Sequence, residues 1–141
     1  MASEFCIQRR VEFSETDMAG IVHYANFFRY METAEHAFFR SLGTSIVDAS
    51  LGVGWPRVHA ECDYRRPLHF EDEVTVRLLV EAKHARSLRY QFRFLRQNEE
   101  VARGALTVVC VRRDAEGKMK ATDIPAAISG LIDMADATQL E

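Results

Sequence analysis

The sequence predicts an α+β fold, an antiparallel five-stranded sheet wrapped around one long central helix. Three observations predict it. Apolar residues recur at helical spacing in one stretch only, residues 27–42, and alternate with polar ones in the strand-like stretches before and after it. The helical stripe is wider than an ordinary surface helix needs, so something must cover it. The order is strand, long helix, then four strands, with no internal repeat, low-complexity linker or composition break among the 141 residues. That length suits one domain, expected over residues 1–135 with a frayed tail at 136–141.

In the first strand, predicted over Phe5–Phe13, Phe5, Ile7, Val11 and Phe13 take one side and Cys6, Gln8, Arg10 and Glu12 the other; Arg9 interrupts the apolar side. In the helix, Phe27, Tyr30, Met31, Ala34, Phe38 and Leu42 recur at helical spacing, and Phe28, Ala37 and Phe39 widen the stripe. Asn26 is the expected N-cap, Gly43 the left-handed residue after the end, and Arg40 a cation suited to the last turn. The next strand covers Arg57–Tyr64 and stops before Pro67, which cannot donate to a ladder. Alternation then marks strands at Val74–Glu81, Leu88–Leu95 and Leu106–Val111, with Gln97-Asn98-Glu99-Glu100 as a hairpin turn. Asp114–Lys118 closes the last strand, and Asp123 is expected to cap a short helix with Pro125 in its first turn.

Composition excludes several classes. A net charge of −3 argues against a protein that coats nucleic acid. Cys6, Cys62 and Cys110 are odd in number and lack the paired spacing of a zinc or redox site, so reduced thiols are expected. Glu32-Thr33-Ala34-Glu35-His36 is not a His-Glu-x-x-His motif, and Gly52-Val53-Gly54 is not a dinucleotide loop, so neither a metal nor a separate cofactor is expected. Charges break every apolar run near the N-terminus and no stretch approaches the ~20 apolar residues of a membrane span, which sets the expectation of a cytoplasmic protein with no membrane partner.

The most informative segment runs from Phe13 to Gly43. The acidic turn Ser14-Glu15-Thr16-Asp17 leads through Gly20 and Ile21-Val22 to His23-Tyr24 and the start of the helix at Asn26. A carboxylate thus stands just ahead of a helix N-terminus, whose free N–H groups and dipole can hold a developing negative charge. A base or nucleophile beside an anion-stabilising helix end is the minimum apparatus for acyl transfer.

The D-x-x-G-I-V-x-Y-x-N pattern from Asp17 to Asn26 resembles the hotdog-fold acyl-CoA thioesterases, closest to the 4-hydroxybenzoyl-CoA thioesterase class. Asp63-Tyr64-Arg65-Arg66-Pro67, followed by Glu71-Asp72-Glu73-Val74, is similar to that family's second-to-third strand connection. The resemblance covers most of the chain and implies a hotdog fold and a thioester hydrolase that releases free acid and CoA. Coenzyme A enters as part of the substrate, with an acyl-carrier protein as the other carrier to weigh. It also implies a homodimer or a dimer of dimers, a homotetramer, in which each site draws on two chains.

Site roles follow residue by residue. The resemblance implies that Asp17 attacks the thioester carbonyl or activates the water that does. Tyr24 matches the position whose backbone N–H faces the thioester oxygen. Gly20 allows close approach of the chain, or simply a positive φ. His23 suits the pocket edge better than general-base work, since relatives that carry a histidine have it one place away. Glu32 falls where the class has an acid reaching the acyl pocket, against the plain alternative of a local pair with His36. His59 would line the neighbouring protomer's pocket. Lys83, Arg86 and Ser87 lie near the family's CoA-phosphate contacts, where cations are needed; otherwise the cluster is a solvated loop. A non-catalytic acyl-CoA-binding module would need no Asp17, and a hotdog dehydratase would need a histidine and an acid around a proline-rich segment that is missing here. The acyl group, whether aromatic, short or medium, is open at this point.

Overall fold

The computed structural model describes residues 1–141. Five strands, β1 (Glu4–Arg10), β2 (Arg57–Tyr64), β3 (Glu73–Lys83), β4 (Ser87–Arg96) and β5 (Glu99–Val109), form one antiparallel sheet in the order β1-β3-β4-β5-β2. Helix α1 (Asn26–Ser41) crosses its inner face. A small hairpin, β6 (Val111–Arg113) with β7 (Met119–Ala121), and a one-turn helix α2 (Ala126–Ser129) complete the chain.

The pleat decides what faces α1. Val76, Leu78 and Val80 of β3 stand opposite Phe94, Phe92 and Tyr90 of β4, which stand opposite Ala102, Gly104 and Leu106 of β5. All are buried, and with Phe27, Tyr30, Met31, Ala34 and Phe38 they form the core. Gly104 makes room for the helix: a Cβ there would lie 2.0 Å from Met31 Cε. Burying side chains of this size stabilises by about 1.5–3 kcal/mol each, and several of them lie on α1. The helix therefore has little freedom to slide, and its N-terminus is held at one end of the sheet. Glu35 of α1, fully buried, is met by Arg57 of β2, and the Tyr90 hydroxyl is buried beside this pair without a good hydrogen bond.

The predicted strand Arg57–Tyr64 is observed with those bounds, and Gln97 (φ 51°) and Asn98 (φ 64°) make a two-residue hairpin turn. Gly43 (φ 84°) is the left-handed residue after α1. Other expectations are corrected. β1 stops at Arg10, and Phe13 sits exposed in a 3₁₀ turn, Phe13–Glu15. β5 begins at Glu99, before the expected Leu106; its inward-facing Ala102 and Gly104 are small, which hides the alternation there, and Gly104 is where the helix lies close. Asn26 does not cap α1; the capping position is Ala25, and the Asn26 side chain points elsewhere. Asp123 caps nothing and pairs with Arg86. Apart from these corrections, residues 137–140 form a turn, with the Leu140 carbonyl accepting from Gln91 Nε2 at 3.4 Å.

Candidate active site

The chain between the 3₁₀ turn and α1 folds back on itself as a short antiparallel loop. Thr16 bridges Val22, and Asp17 N–H donates to the Ile21 carbonyl at 2.8 Å. Gly20, at φ 82°, turns the loop, and no atom of the chain lies within 4 Å of where its Cβ would be. Ile21 bridges His69 and Val22 donates to the Leu68 carbonyl at 2.8 Å, which ties the loop to the segment after β2.

This folding puts Asp17 and Tyr24 on the wall of one open cleft of about 470 Å³, between the loop, the start of α1 and residues 64–68. Asp17 is exposed, and its Oδ1 accepts only a local bond from Ala19 N–H, 2.9 Å. One lone-pair-bearing oxygen is thus left for chemistry. The Tyr24 N–H donates to no group of the chain, whereas the adjacent Ala25 N–H is taken by His23 Nδ1 at 3.2 Å and the Asn26 N–H by the His23 carbonyl at 2.9 Å. A carboxylate and an unused amide at a helix N-terminus therefore share one cleft. The cleft can accommodate a carbonyl carbon near the first and its oxygen near the second.

The cleft floor and side are aromatic. Tyr64 meets Phe27 edge-on with centroids 5.1 Å apart, Phe27 meets Phe94 at 5.1 Å, and Tyr24 meets Tyr64 at 6.5 Å. The Tyr64 hydroxyl donates to the Tyr24 carbonyl at 3.0 Å. Burial, and after it the neighbouring Cys62 thiol, pushes the Tyr64 hydroxyl up to about 12, so it stays a donor well above neutral pH. Arg65 and Arg66 also line the cleft; Arg65 pairs with Glu100 at 2.7 Å and Arg66 with Glu99.

The other expected site residues fall elsewhere. His23 is exposed and off the cleft wall; its Nδ1 is occupied and its ring stacks on Tyr24 at 4.6 Å, a pocket-edge role. Asn26 is buried behind the loop, where its Nδ2 donates to the Glu15 carbonyl at 2.8 Å. Glu32 points to Arg57 at 3.6 Å and forms no pair with His36. His59 is on edge strand β2, 3.6 Å from Glu61. Lys83 donates to the Ser129 and Ile132 carbonyls, at 2.7 and 2.8 Å, which ties α2 to β3. Arg86 and Ser87 precede and begin β4, opposite Val109, while the cleft adjoins Phe94 near the other end of that strand. Seven residues of strand separate Ser87 from Phe94, about 23 Å. One chain does not bring Arg86 and Ser87 to Asp17.

Reasoning from sequence missed the group beneath the loop. Glu15 accepts from Tyr30 Oη at 3.0 Å and Glu12 N–H at 2.8 Å, and it pairs with Arg9, whose guanidinium lies 4.3 Å over the Tyr30 ring. Burial and the Glu15 hydrogen bond raise the Tyr30 hydroxyl well above its ordinary value. The available signal was Arg9 itself: a cation on the apolar side of a strand needs a buried partner.

Comparison with known proteins bears on family and fold. Residues 11–132 match the model of the thioesterase-like superfamily. The chain belongs to that superfamily. Membership places it among thioester hydrolases. An Aquifex aeolicus protein bearing the name of an esterase is 41% identical over 78 residues, a match that covers 55% of this chain and 61%, less than two thirds, of that one. The solved structure of a 1,4-dihydroxy-2-naphthoyl-CoA thioesterase from Synechocystis superposes with a TM-score of 0.81 at 25% identity, covering 91% of this chain and 94% of that one. The 4-hydroxybenzoyl-CoA thioesterase of Pseudomonas sp. strain CBS-3 shares the fold, with a TM-score of 0.82 at 24% identity over 92% of this chain and 99% of that one. The sheet wrapped around α1 is the hotdog fold.

Proposed function

We propose that the chain hydrolyses an acyl-CoA thioester to a free acid and CoA, with an aromatic acyl group as its preferred substrate. The observation that carries the reaction is the pairing of the Asp17 carboxylate with the unused Tyr24 amide in one cleft. In this reading the thioester oxygen accepts from the Tyr24 N–H, and the α1 dipole stabilises the charge that develops there. Asp17 either attacks the carbonyl, expelling the CoA thiolate and forming a mixed anhydride that water then hydrolyses to the free acid and the restored Asp17 carboxylate, or removes a proton from the water that attacks the carbonyl and expels the thiolate. The geometry is compatible with both.

The aromatic preference is supported by the rings of Tyr24, Phe27 and Tyr64 and by the size of the cleft, which falls within the range of small-molecule sites. The Synechocystis relative is a 1,4-dihydroxy-2-naphthoyl-CoA thioesterase, which supports the same preference. A panel of aromatic, short and medium acyl-CoA esters, read by release of free thiol, tests it: turnover should be fastest on the aromatic esters. Equal rates across the panel would refute the preference, and absence of thiol release from every ester would refute the reaction.

The working unit in this reading is a homodimer or a dimer of dimers. β2 is a sheet edge with Val58, His59 and Glu61 exposed, which an edge pairing would cover. A second chain would also be the means of bringing Arg86 and Ser87 to a CoA held at Asp17. Light scattering that gives a fully active 16.1 kDa particle would contradict this.

A further inference from the structure

We propose that Asn26 and Glu15 are positioning residues, which together fix the Asp17 arm of the loop relative to the Tyr24 amide. The inference rests on the thioesterase reading above for its chemical meaning. Its structural content stands alone.

Asp17 and Tyr24 lie on opposite arms of the loop, and no bond connects them directly. Besides the Asp17–Ile21 bond and the Thr16–Val22 bridge, the arms are linked at the base of the loop through the Glu15 carbonyl, two residues before Asp17. That oxygen accepts from the His23 N–H at 2.9 Å, one residue before Tyr24, and from Asn26 Nδ2 at 2.8 Å. Both arms and the first turn of α1 therefore meet at one atom. The Glu15 carboxylate holds that atom from behind, through Tyr30 in the second turn of α1 and Arg9 on β1. Asn26 is buried, and its amide turns away from the helix axis it would otherwise cap. A helix N-terminus of this kind usually tolerates or prefers an acid. An amide whose NH₂ donates to a carbonyl cannot be replaced by a carboxylate, which has no donor and would oppose oxygen to oxygen. Displacing one reacting group by about 1 Å can lower a rate on the order of 10²-fold, so a strut with no contact to substrate can still govern turnover.

Asn26→Asp is the discriminating substitution, with Tyr30→Phe as the milder second variant should Asn26→Asp not fold. A cap or simple helix-start role predicts Asn26→Asp to be neutral or stabilising. The strut predicts a kcat lower on the order of 10²-fold with KM little changed, and a smaller loss for Tyr30→Phe, which keeps the ring under Arg9. In an Asp17→Asn background, Asn26→Asp should lower the residual rate far less, because there is no longer a carboxylate to place. Losses that multiply in that double variant, or a wild-type kcat in Asn26→Asp, would overturn the inference. Failure of the thioesterase reading shows separately, as full activity in Asp17→Asn or no activity in the wild type. In that case amide hydrogen exchange decides: Asn26→Asp should speed exchange at His23 and Asp17 while Tyr30 and Met31 keep their protection, and unchanged exchange at His23 would overturn the strut.

Discussion

Replacing Gly104 by alanine tests how α1 is seated, and the structure sets the size of the effect. The new Cβ would meet Met31 Cε at 2.0 Å, Met31 Sδ at 3.0 Å and the Glu61 carbonyl at 3.1 Å. Normal carbon contact is near 3.5–4.0 Å, so the methionine end must move by about 1.5–2 Å. Met31 is fully buried in the core cluster, so its end can move only at the expense of its neighbours. Overpacking of this kind costs about 1–3 kcal/mol, offset by roughly 0.5–1 kcal/mol from removing a flexible glycine. The net expectation is about 1–2 kcal/mol, or a Tm lower by roughly 3–10 °C for a chain of this length. Urea titration at constant m reads it as a shift in midpoint. Met31→Ala alone should cost about 2–5 kcal/mol by leaving a cavity. Adding Gly104→Ala to Met31→Ala should then cost much less than in wild type, since the methionine end is gone and only the 3.1 Å contact with the Glu61 carbonyl remains. If Gly104→Ala costs as much in the Met31→Ala background as in wild type, Met31 is not what the glycine accommodates and the reasoning fails.

Three further outcomes follow from the same structure. Arg57→Met leaves Glu35 buried without its cation and should cost about 3–5 kcal/mol by thermal or urea unfolding, whereas Glu35→Leu/Arg57→Met should recover most of it. The Tyr64 hydroxyl, with its folded pKa raised to about 12, holds a proton that the unfolded chain loses near 10. The stability it contributes is therefore full below pH 10 and declines between 10 and 12. The difference in Tm between wild type and Tyr64→Phe should shrink over that window; a difference that grows would contradict the sign. If an associated chain presents Arg86 to CoA phosphate, Arg86→Ala should raise KM for an acyl-CoA and leave acyl-pantetheine hydrolysis unchanged, and equal losses on both substrates would return Arg86 to a structural role with Asp123.

Much of the fold was legible because burial sets the hydrophobic period. The stripe from Phe27 to Leu42 gave the helix, and strict alternation gave β3 and β4. Pro67 and the turn at Gln97-Asn98 gave two strand limits. What was not legible has local causes. The first half of β5 lacks bulky residues, since the helix occupies their space at Gly104. β6 and β7 are three residues each and mostly exposed, too short for any period to show. In the candidate site, the shared cleft of Asp17 and Tyr24 lies along one continuous motif, which is why it was legible. Asn26 was misread because a helix start with Asn looks like a cap, and only the fold shows that its amide reaches back to Glu15. The distance of Arg86 and Ser87 from the cleft of their own chain was not legible for another reason. Nearness in sequence does not tell which end of a sheet a turn occupies, and β4 separates this turn from Asp17 by most of its length.

The central claim is that Asp17 performs the chemistry in the cleft it shares with the Tyr24 amide. The most direct test is the rate of thiol release from an aromatic acyl-CoA by wild type and by Asp17→Asn, which keeps the shape and local hydrogen bond of the side chain and removes its charge. The account predicts a kcat lower on the order of 10²-fold or more with Tm unchanged. A variant that turns over at the wild-type rate would contradict it.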